Sequence, residues 1–380
     1  ETRSDSVSDM IEVPLVAPGM EPVADAFRAM LADGREVGAE VAVIRDGKPL
    51  FIARGGTIDA EGRPWAAGTL VQVFAAGKPV AAAAALAAVA DGALGLDDPI
   101  AQHWRDYRDG PARPTTLRAL LAHRAGKFAF SDSAEGLDPL DRDGLIASLA
   151  AAEPEYPEGL GSVEHATTYG HLIDGVLRSV GAPSIDRAGA ALGDIIGATF
   201  RFGVSTAELA RVADLTVLDP AWTDAARQSD VCRRALTRPC GVLDPAMLNG
   251  DAWRQASFPA IGLHTDAISL ARWYDDLGGL FRADRKVDGE PCGALSARLG
   301  VVLLREAVRG EGLTQDGFSG EVDWGLGVRV DESEVGMGGI GGSAAWYSRR
   351  HDYAMAYVTR GLGTHDRVNE LADLVEALLS

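Results

Sequence analysis

Ala75 and Lys78 stand three positions apart at the start of an alanine-rich apolar run. In a Ser-x-x-Lys arrangement, a serine at a helix start attacks a carbonyl carbon, and a lysine one turn later helps to remove the hydroxyl proton. Here the lysine is present but residue 75 is alanine, whose methyl group cannot form an acyl-enzyme. The sequence therefore predicts the frame of a nucleophilic site without its nucleophile.

The elements that must position this site are strands near both ends of the chain and helices between them. Residues 40–53 read as two strands around an Asp-Gly turn, which is a strong hairpin signal. Hydrophobic periodicity predicts helices at 23–32, from Ala75 to about residue 91, at 115–122, at 167–180 and at 366–379, and strands at 324–330, 343–348 and 353–359.

This pattern predicts an α/β (α+β) fold in which a central antiparallel sheet is built from both chain termini and flanked by helices. We expect residues 1–20 to form a loose N-terminal arm. Residues 21–80 and 265–380 would form a discontinuous sheet domain, and residues 81–264 an inserted, mostly helical domain.

The composition narrows the partners of the protein. The 380 residues carry a formal net charge of −19 with no basic cluster, so nucleic acid and anionic membranes are improbable partners. No apolar run is long enough to span a bilayer.

The three cysteines have no metal-type spacing and fit a reduced, cytoplasmic protein. The polar first residues lack the apolar segment of a signal peptide, although earlier removal of a leader stays open because the sequence does not begin with methionine.

The frame at residues 75–78 begins a similarity that runs over nearly the whole chain. The sequence resembles the serine β-lactamase and penicillin-binding-protein superfamily, in its class C-like esterase and transacylase branch. The further matching stretches are Gly-Leu-Asp-Asp-Pro at 95–99, Leu-Leu-Ala-His-Arg-Ala-Gly at 120–126, Trp-Gly-Leu-Gly at 324–327 and Gly-Gly-Ile-Gly-Gly-Ser at 338–343. Each is weak alone, but their order and spacing are specific, and they imply a β-lactamase/transpeptidase-like fold.

The resemblance implies a three-part site between the sheet and the helical region. Its first part is the Ser-x-x-Lys frame. Its second part is a Tyr-x-Asn or Tyr-His-Ala stretch, which residues 163–170 match with Glu164 in the place of the tyrosine. Its third part is a Lys-Thr-Gly or His-x-Gly triplet, which here begins with Met337. Three of the four reactive side chains are therefore replaced. A single serine-to-alanine change would indicate a deliberate knockout, whereas three changes favour natural divergence.

The residues that remain predict a different chemistry. Glu164 should lie within a few ångströms of Lys78 and keep it protonated, so that the ammonium stabilises negative charge while Glu164, or its neighbour His165, acts as the base. The alternative interpretation is a structural ion pair that fills a disused site. The resemblance also implies that the backbone N–H groups of residues 75 and 340 form an oxyanion hole.

The other candidates are contacts for a ligand. They are Ala75 and Ile340 at the oxyanion hole, Gly339 in the third-motif triplet, Met337 as a soft apolar wall, Trp346 on a strand, and His264 in a loop that matches the rim of the family's pocket. The stretch His-Arg-Ala-Gly at 123–126 is interpreted as a structural turn. No metal-ligand spacing, phosphate loop or dinucleotide fingerprint is present, so no cofactor is expected.

These residues predict an enzyme without covalent acyl catalysis. We expect cyclisation, C–C coupling, elimination or isomerisation on a bulky, mostly apolar small molecule. The Ala- and Gly-rich composition resembles that of high-GC actinomycetes and favours a role in secondary metabolism. Two alternatives stay open: a non-catalytic binding or self-resistance protein, and an esterase or transacylase whose serine was mutated.

Overall fold

The computed structural model of the protein describes residues 10–111, 113–282 and 292–380. Its main element is a seven-stranded sheet with the strand order β1-β3-β2-β12-β11-β10-β9. Three two-stranded pairs complete the strands: β13 with β5, β4 with β6, and β7 with β8. The strands are β1 (Ile11–Val16), β2 (Gly38–Arg45), β3 (Lys48–Gly56), β4 (Val71–Gln72), β5 (Thr216–Val217), β6 (His264–Thr265), β7 (Leu313–Asp316), β8 (Gly320–Asp323), β9 (Arg329–Val330), β10 (Glu334–Gly338), β11 (Ala344–Ser348), β12 (Tyr353–Thr359) and β13 (Gly361–Leu362).

The sheet joins the two ends of the described chain, as the sequence predicted. Strand β12 pairs antiparallel with β2, where Tyr357 lies opposite Val41. Strands β2 and β3 form the predicted hairpin. Its turn residues Asp46 and Gly47 both have positive φ, at 49° and 74°, which matches the twist that a tight two-residue turn requires.

Helices cover both faces of the sheet. They are α1 (Glu21–Ala32), α2 (Lys78–Ala90), α3 (Ile100–His103), α4 (Leu117–Leu121), α5 (Arg142–Ala151), α6 (Tyr169–Ser179), α7 (Ile185–Ile196), α8 (Asp230–Thr237), α9 (Pro245–Leu248), α10 (Asp251–Gln255), α11 (Ala267–Gly278), α12 (Ala294–Leu299), α13 (Val301–Arg309) and α14 (Asp366–Leu379). Short 3₁₀ helices occur at Phe74–Gly77, Asp132–Ala134, Thr206–Arg211 and Pro220–Arg227. No helix in the described ranges combines the length and the apolar character that a membrane span requires.

Two hydrophobic clusters hold these layers together. Helices α1 and α14 pack on one face of the sheet, in a cluster that contains Phe27, Val41 and Leu371. The larger cluster fills the space between the other face and the inserted helices. Helix α2 lies inside this larger cluster because its alanines permit close approach. A Cβ on Gly327 would lie 2.4 Å from the Cβ of Ala82.

Two segments differ from the sequence-based prediction. Residues 11–16, predicted as part of a loose arm, form the edge strand β1, which pairs antiparallel with β3; residues 1–9 of that arm lie outside the described residues. The strand predicted at 324–330 is shortened to β9, because positive φ at Gly327 turns the chain between Trp324 and Arg329. The domain boundaries at residues 80 and 265 stay a prediction.

Candidate active site

Lys78 and Glu164 form the centre of the site. Lys78 is the first residue of α2, and Glu164 lies in the loop that precedes α6. The Lys78 Nζ donates one hydrogen bond of 3.1 Å to Glu164 Oε1 and another of 3.1 Å to the backbone oxygen of Ala166. The structure thus brings together the two side chains that the sequence predicted to meet.

The electrostatics of the pair are asymmetric. The Lys78 side chain is fully buried, whereas 15% of the Glu164 side chain is exposed. Burial lowers the pKa of Lys78 below its ordinary value of 10.5, and the Glu164 carboxylate opposes this change. The sequence-based expectation considered only the attraction of Glu164 for the lysine. It omitted burial, which has the larger effect on the pKa of Lys78. The carboxylate is the member of the pair that a ligand would meet.

Ala75 is the residue that the sequence predicts in the nucleophile position. It lies in the 3₁₀ turn Phe74–Gly77, directly before α2, and lines the cavity together with Lys78 and Glu164. Its methyl group contacts an apolar cluster that includes Val322 and Met337. The side chain at this position therefore contributes a small apolar surface to the site.

Strand β10 supplies the opposite wall. Met337, which the sequence predicts at the first position of the third motif, is 4% exposed. The chain then passes so close to the 3₁₀ turn that a Cβ on Gly339 would lie 2.2 Å from the backbone oxygen of Val73 and 3.3 Å from the backbone nitrogen of Ala75. Only glycine permits this approach. Ile340 follows and lines the cavity, so the backbone segments of both predicted oxyanion-hole donors border the same space.

The cavity is large and has an apolar wall. Its volume is about 910 Å³, which is enough for a drug-sized ligand. The apolar side chains around it come from separate elements: Trp222 from the 3₁₀ helix Pro220–Arg227, Leu313 from β7, and Phe318 from the β7–β8 turn. Leu313 is 69% exposed although it lines the cavity, so its side chain is available to an apolar ligand.

The polar part of the lining is mainly acidic. Besides Glu164, the lining carboxylates are Glu321, Asp323, Asp331, Glu334, Asp373 and Glu376. Among the described residues, Lys78 and Arg329 are the lysine and arginine of this lining. Because Lys78 already pairs with Glu164, a ligand carboxylate would meet mostly like charge, and the site is better suited to a neutral or cationic molecule.

The sequence predicted His165 as an alternative base that acts on a ligand. This prediction is wrong, because His165 does not line the cavity. Its side chain is completely buried. The Nδ1–H donates to the backbone oxygen of Val163 over 2.8 Å, and burial lowers the pKa of the imidazole to about 4. Its ring packs beside that of His123, with 5.5 Å between the ring centroids.

His264 is also placed differently from the prediction. It lies in β6, opposite Gln72 of β4, and is 1% exposed. Its Nδ1–H donates to the backbone oxygen of Gly262 over 3.0 Å, and burial lowers its pKa to about 4. His264 therefore belongs to the packed connection behind α2 and not to the rim of the cavity.

Trp346 lines the cavity, but from the other face of the sheet. It lies opposite Gly336, while Met337 lies opposite the preceding residue, Ala345. Because side chains alternate along a strand, Trp346 and Met337 point to opposite faces. The cavity thus extends around the edge strands towards α14, where it is bordered by Ala372.

Sequence reasoning missed the residues that form the apolar wall. Trp222, Leu313 and Phe318 come from a short 3₁₀ helix and a hairpin, which lack a motif and a long hydrophobic period. In the sequence, only their large apolar side chains indicate that they could contact a ligand. In the described part of the chain, no group of three or more His, Cys, Asp or Glu side chains converges in a way that could hold a metal ion.

Comparisons with known proteins agree with this fold. A family model described as "Beta-lactamase" matches residues 23–379. A crystal structure of a family VIII carboxylesterase has a TM-score of 0.82 and 25% sequence identity, over 97% of this chain and 100% of that one. A penicillin-binding protein homologue from Caulobacter crescentus has a TM-score of 0.77 and 25% identity, over 97% and 100% of the two chains.

Two curated relatives match over shorter stretches. The esterase/beta-lactamase LipL of Mycobacterium tuberculosis is 30% identical over 164 residues, which are 43% of this chain and 38% of the relative. Esterase EstB of Burkholderia gladioli is 31% identical over 154 residues, which are 36% of this chain and 39% of the relative. The match thus spans less than half the length of either relative.

Proposed function

This chain belongs to the Beta-lactamase family, and we propose that it uses the family's cavity for acid–base chemistry instead of covalent acyl transfer. The observation that carries the proposal is the contact of Lys78 with Glu164, at 3.1 Å, beside Ala75, which the proposal places in the nucleophile position. An alanine side chain cannot attack a carbonyl carbon, whereas a partly exposed carboxylate can accept a proton.

Glu164 is the base in this proposal, and Lys78 is its counter-ion. An ammonium group has three N–H donors, of which Lys78 uses two on Glu164 and Ala166. The ammonium lies behind Glu164, because its side chain is fully buried whereas that of Glu164 is partly exposed. The ion pair therefore holds the carboxylate in one orientation and adds positive charge where negative charge develops on the substrate.

The developing charge resides on a carbonyl oxygen. When Glu164 removes a proton from the carbon next to a carbonyl, the electron pair moves to that oxygen and gives an enolate. The backbone N–H groups of Ala75 and Ile340 are proposed to stabilise it. The close passage of Gly339 beside the Ala75 nitrogen supports this role, because it brings the two backbone segments together.

The proposed substrate is a bulky, mostly apolar small molecule with a carbonyl group, as in secondary metabolism. Return of the proton to another carbon is isomerisation, loss of a leaving group is elimination, and attack on an electrophilic carbon is cyclisation or coupling. The cavity of about 910 Å³ and its wall of Trp222, Leu313 and Phe318 support a bulky substrate. The esterases among the relatives, whose substrates contain a carbonyl, support that group.

Non-catalytic binding is a second candidate. It is favoured by the complete burial of the Lys78 side chain, which is typical of a structural ion pair. Under this alternative the cavity sequesters the same class of molecule, and replacing Glu164 changes the affinity without abolishing a reaction.

Exchange of carbon-bound protons separates the two candidates. Aryl alkyl ketones that bind in saturation-transfer NMR would be incubated with the protein in D₂O, and loss of the α-proton signal would be followed. We expect exchange faster than in buffer, and we expect Glu164→Gln to return the rate to the buffer value.

The matched control is Glu321→Gln, which neutralises another lining carboxylate and should leave the exchange rate unchanged. If bound ketones exchange no faster than in buffer, proton abstraction is wrong and the binding function is favoured. If none of the ketones binds, the proposed substrate class is wrong.

A further inference from the structure

We infer that His123, which the sequence indicated only as part of a turn, is a positioning residue that fixes the backbone on both sides of Glu164. This inference rests on the proposed function, because it assigns His123 a role at the same site. His123 does not line the cavity and follows directly after α4 (Leu117–Leu121) and Ala122. It acts through hydrogen bonds to the two neighbours of Glu164.

The two hydrogen bonds come from the residues before and after Glu164. The backbone N–H of Val163 donates to the backbone oxygen of His123 over 3.3 Å. The backbone N–H of His165 donates to the ring nitrogen Nδ1 of His123 over 3.0 Å. One residue therefore holds the peptide group that follows Glu164 and the peptide group that precedes Val163.

His123 is itself held in an unusual conformation. Its φ is +61°, in the left-handed region that non-glycine residues seldom adopt. The ring lies between Tyr169 and Trp324, with centroid separations of 4.6 and 4.4 Å, and the residue is 1% exposed. Backbone strain of this kind persists only where the surroundings impose it, and it is concentrated near functional sites.

The contact with His165 requires a neutral imidazole. Only an unprotonated Nδ1 has the lone pair that accepts the backbone N–H, so the ring proton is on Nε2. Burial lowers the pKa of His123 well below 6.5, and the nearby His165, Lys78 and Arg329 lower it further. The accepting form therefore persists at neutral pH.

The expected consequence concerns Lys78. The loop from 163 to 166 is held by His123 at two backbone groups and by Lys78 at the Ala166 oxygen. Without the His123 ring nitrogen, the peptide after Glu164 loses its acceptor, and the carboxylate moves away from Lys78. Lys78 would stay buried while losing its counter-ion, so its pKa would fall further.

Two variants separate the ring nitrogen from the shape of the side chain. In His123→Asn, the amide oxygen takes the place of Nδ1, and asparagine tolerates positive φ better than most residues. His123→Leu has a similar length but no acceptor. The readout is the titration of Lys78 followed by NMR in protein labelled with ¹³C at lysine Cε. The sequence has four lysines, so the signals can be assigned by replacing each lysine in turn.

We expect the Lys78 titration midpoint of His123→Leu to move to lower pH and that of His123→Asn to overlay the wild type. A purely structural role would lower thermal stability in His123→Leu but leave the Lys78 titration of the folded protein unchanged. That result, or an equal shift in both variants, would overturn the inference.

A measurement on the unmodified protein covers the case in which His123→Leu does not fold. In ¹⁵N-labelled protein, a hydrogen bond from the His165 amide to His123 Nδ1 gives a scalar coupling between the two nitrogens. We expect this coupling at neutral pH, and a protonated Nδ1 without it would overturn the inference. Neither readout requires turnover, so failure of the ketone-exchange experiment leaves this test intact.

Discussion

The attraction between Lys78 and Glu164 can be measured with a double-mutant cycle. Glu164→Gln keeps an oxygen that accepts a hydrogen bond but removes the charge, and Lys78→Met keeps most of the length and apolar volume of the lysine. We expect each single variant to be destabilised, because each leaves one charge at a buried site without its counter-charge. The double variant should be close to wild type, since it removes both charges.

The geometry determines the magnitude. Two unit charges 3.1 Å apart, the separation of Nζ and Oε1, attract by about 5 kcal/mol at an effective dielectric constant of about 20. The coupling free energy should be smaller, because 15% of the Glu164 side chain is exposed and the Lys78 variant also loses a hydrogen bond to Ala166. We therefore expect a coupling of about 2–3 kcal/mol.

Urea unfolding of the four proteins at pH 7 provides the assay, with equal m-values as the condition for comparing free energies. The matched control is the surface pair Arg298 and Asp91, whose side chains are 39% and 56% exposed. That pair should show a coupling below about 1 kcal/mol. A Lys78–Glu164 coupling no larger than the control value would refute the view that these charges stabilise each other.

Three other perturbations have defined outcomes. Ala75→Ser should not produce hydrolysis of p-nitrophenyl butyrate above the wild-type level, because the sequence predicts Glu164 and not a tyrosine in the second motif. Strong hydrolysis would favour the mutated-esterase alternative. Gly339→Ala should lower the midpoint of thermal unfolding and weaken ketone binding in saturation-transfer NMR, since its Cβ would lie 2.2 Å from the backbone oxygen of Val73. The control variant Gly338→Ala should have a milder effect, because the nearest atom to its Cβ is a side-chain atom 3.3 Å away. Burial lowers the pKa of Lys127 to about 7, so the unfolded state binds more protons between pH 7 and about 10.4. The unfolding free energy of wild type, relative to Lys127→Met, should therefore rise with pH over this interval, and a flat difference in urea unfolding would show that Lys127 titrates normally.

The sequence predicted most of the elements that carry the site. Strand β12 and helix α14 have the predicted bounds, because β12 is a continuous, mostly apolar run and α14 has a long helical period. The contact of Lys78 with Glu164 was predicted from the family frame and is present. Strand β1 was missed because it is short, contains a proline and depends on long-range pairing with β3.

The exact surroundings of single side chains could not be predicted. His165 and His264 are polar residues at promising positions, yet each satisfies Nδ1 on a nearby backbone oxygen and is buried. Such local hydrogen bonds depend on the path of the backbone, which a motif does not specify. His123 differs from these two histidines. The sequence indicated it only as part of a turn, yet it accepts hydrogen bonds from both neighbours of Glu164.

The pairing of β2 with β12 also constrains how the protein can be made. Residues 39–44 meet residues 354–359, so the centre of the sheet closes only after more than three hundred intervening residues have been synthesised. Such distant pairing delays folding. A ribosome-bound chain can form α2 with Lys78 early, but it has no opposite wall until β10 and Gly339 emerge. We therefore expect a growing chain to expose unpaired strands until translation is nearly complete.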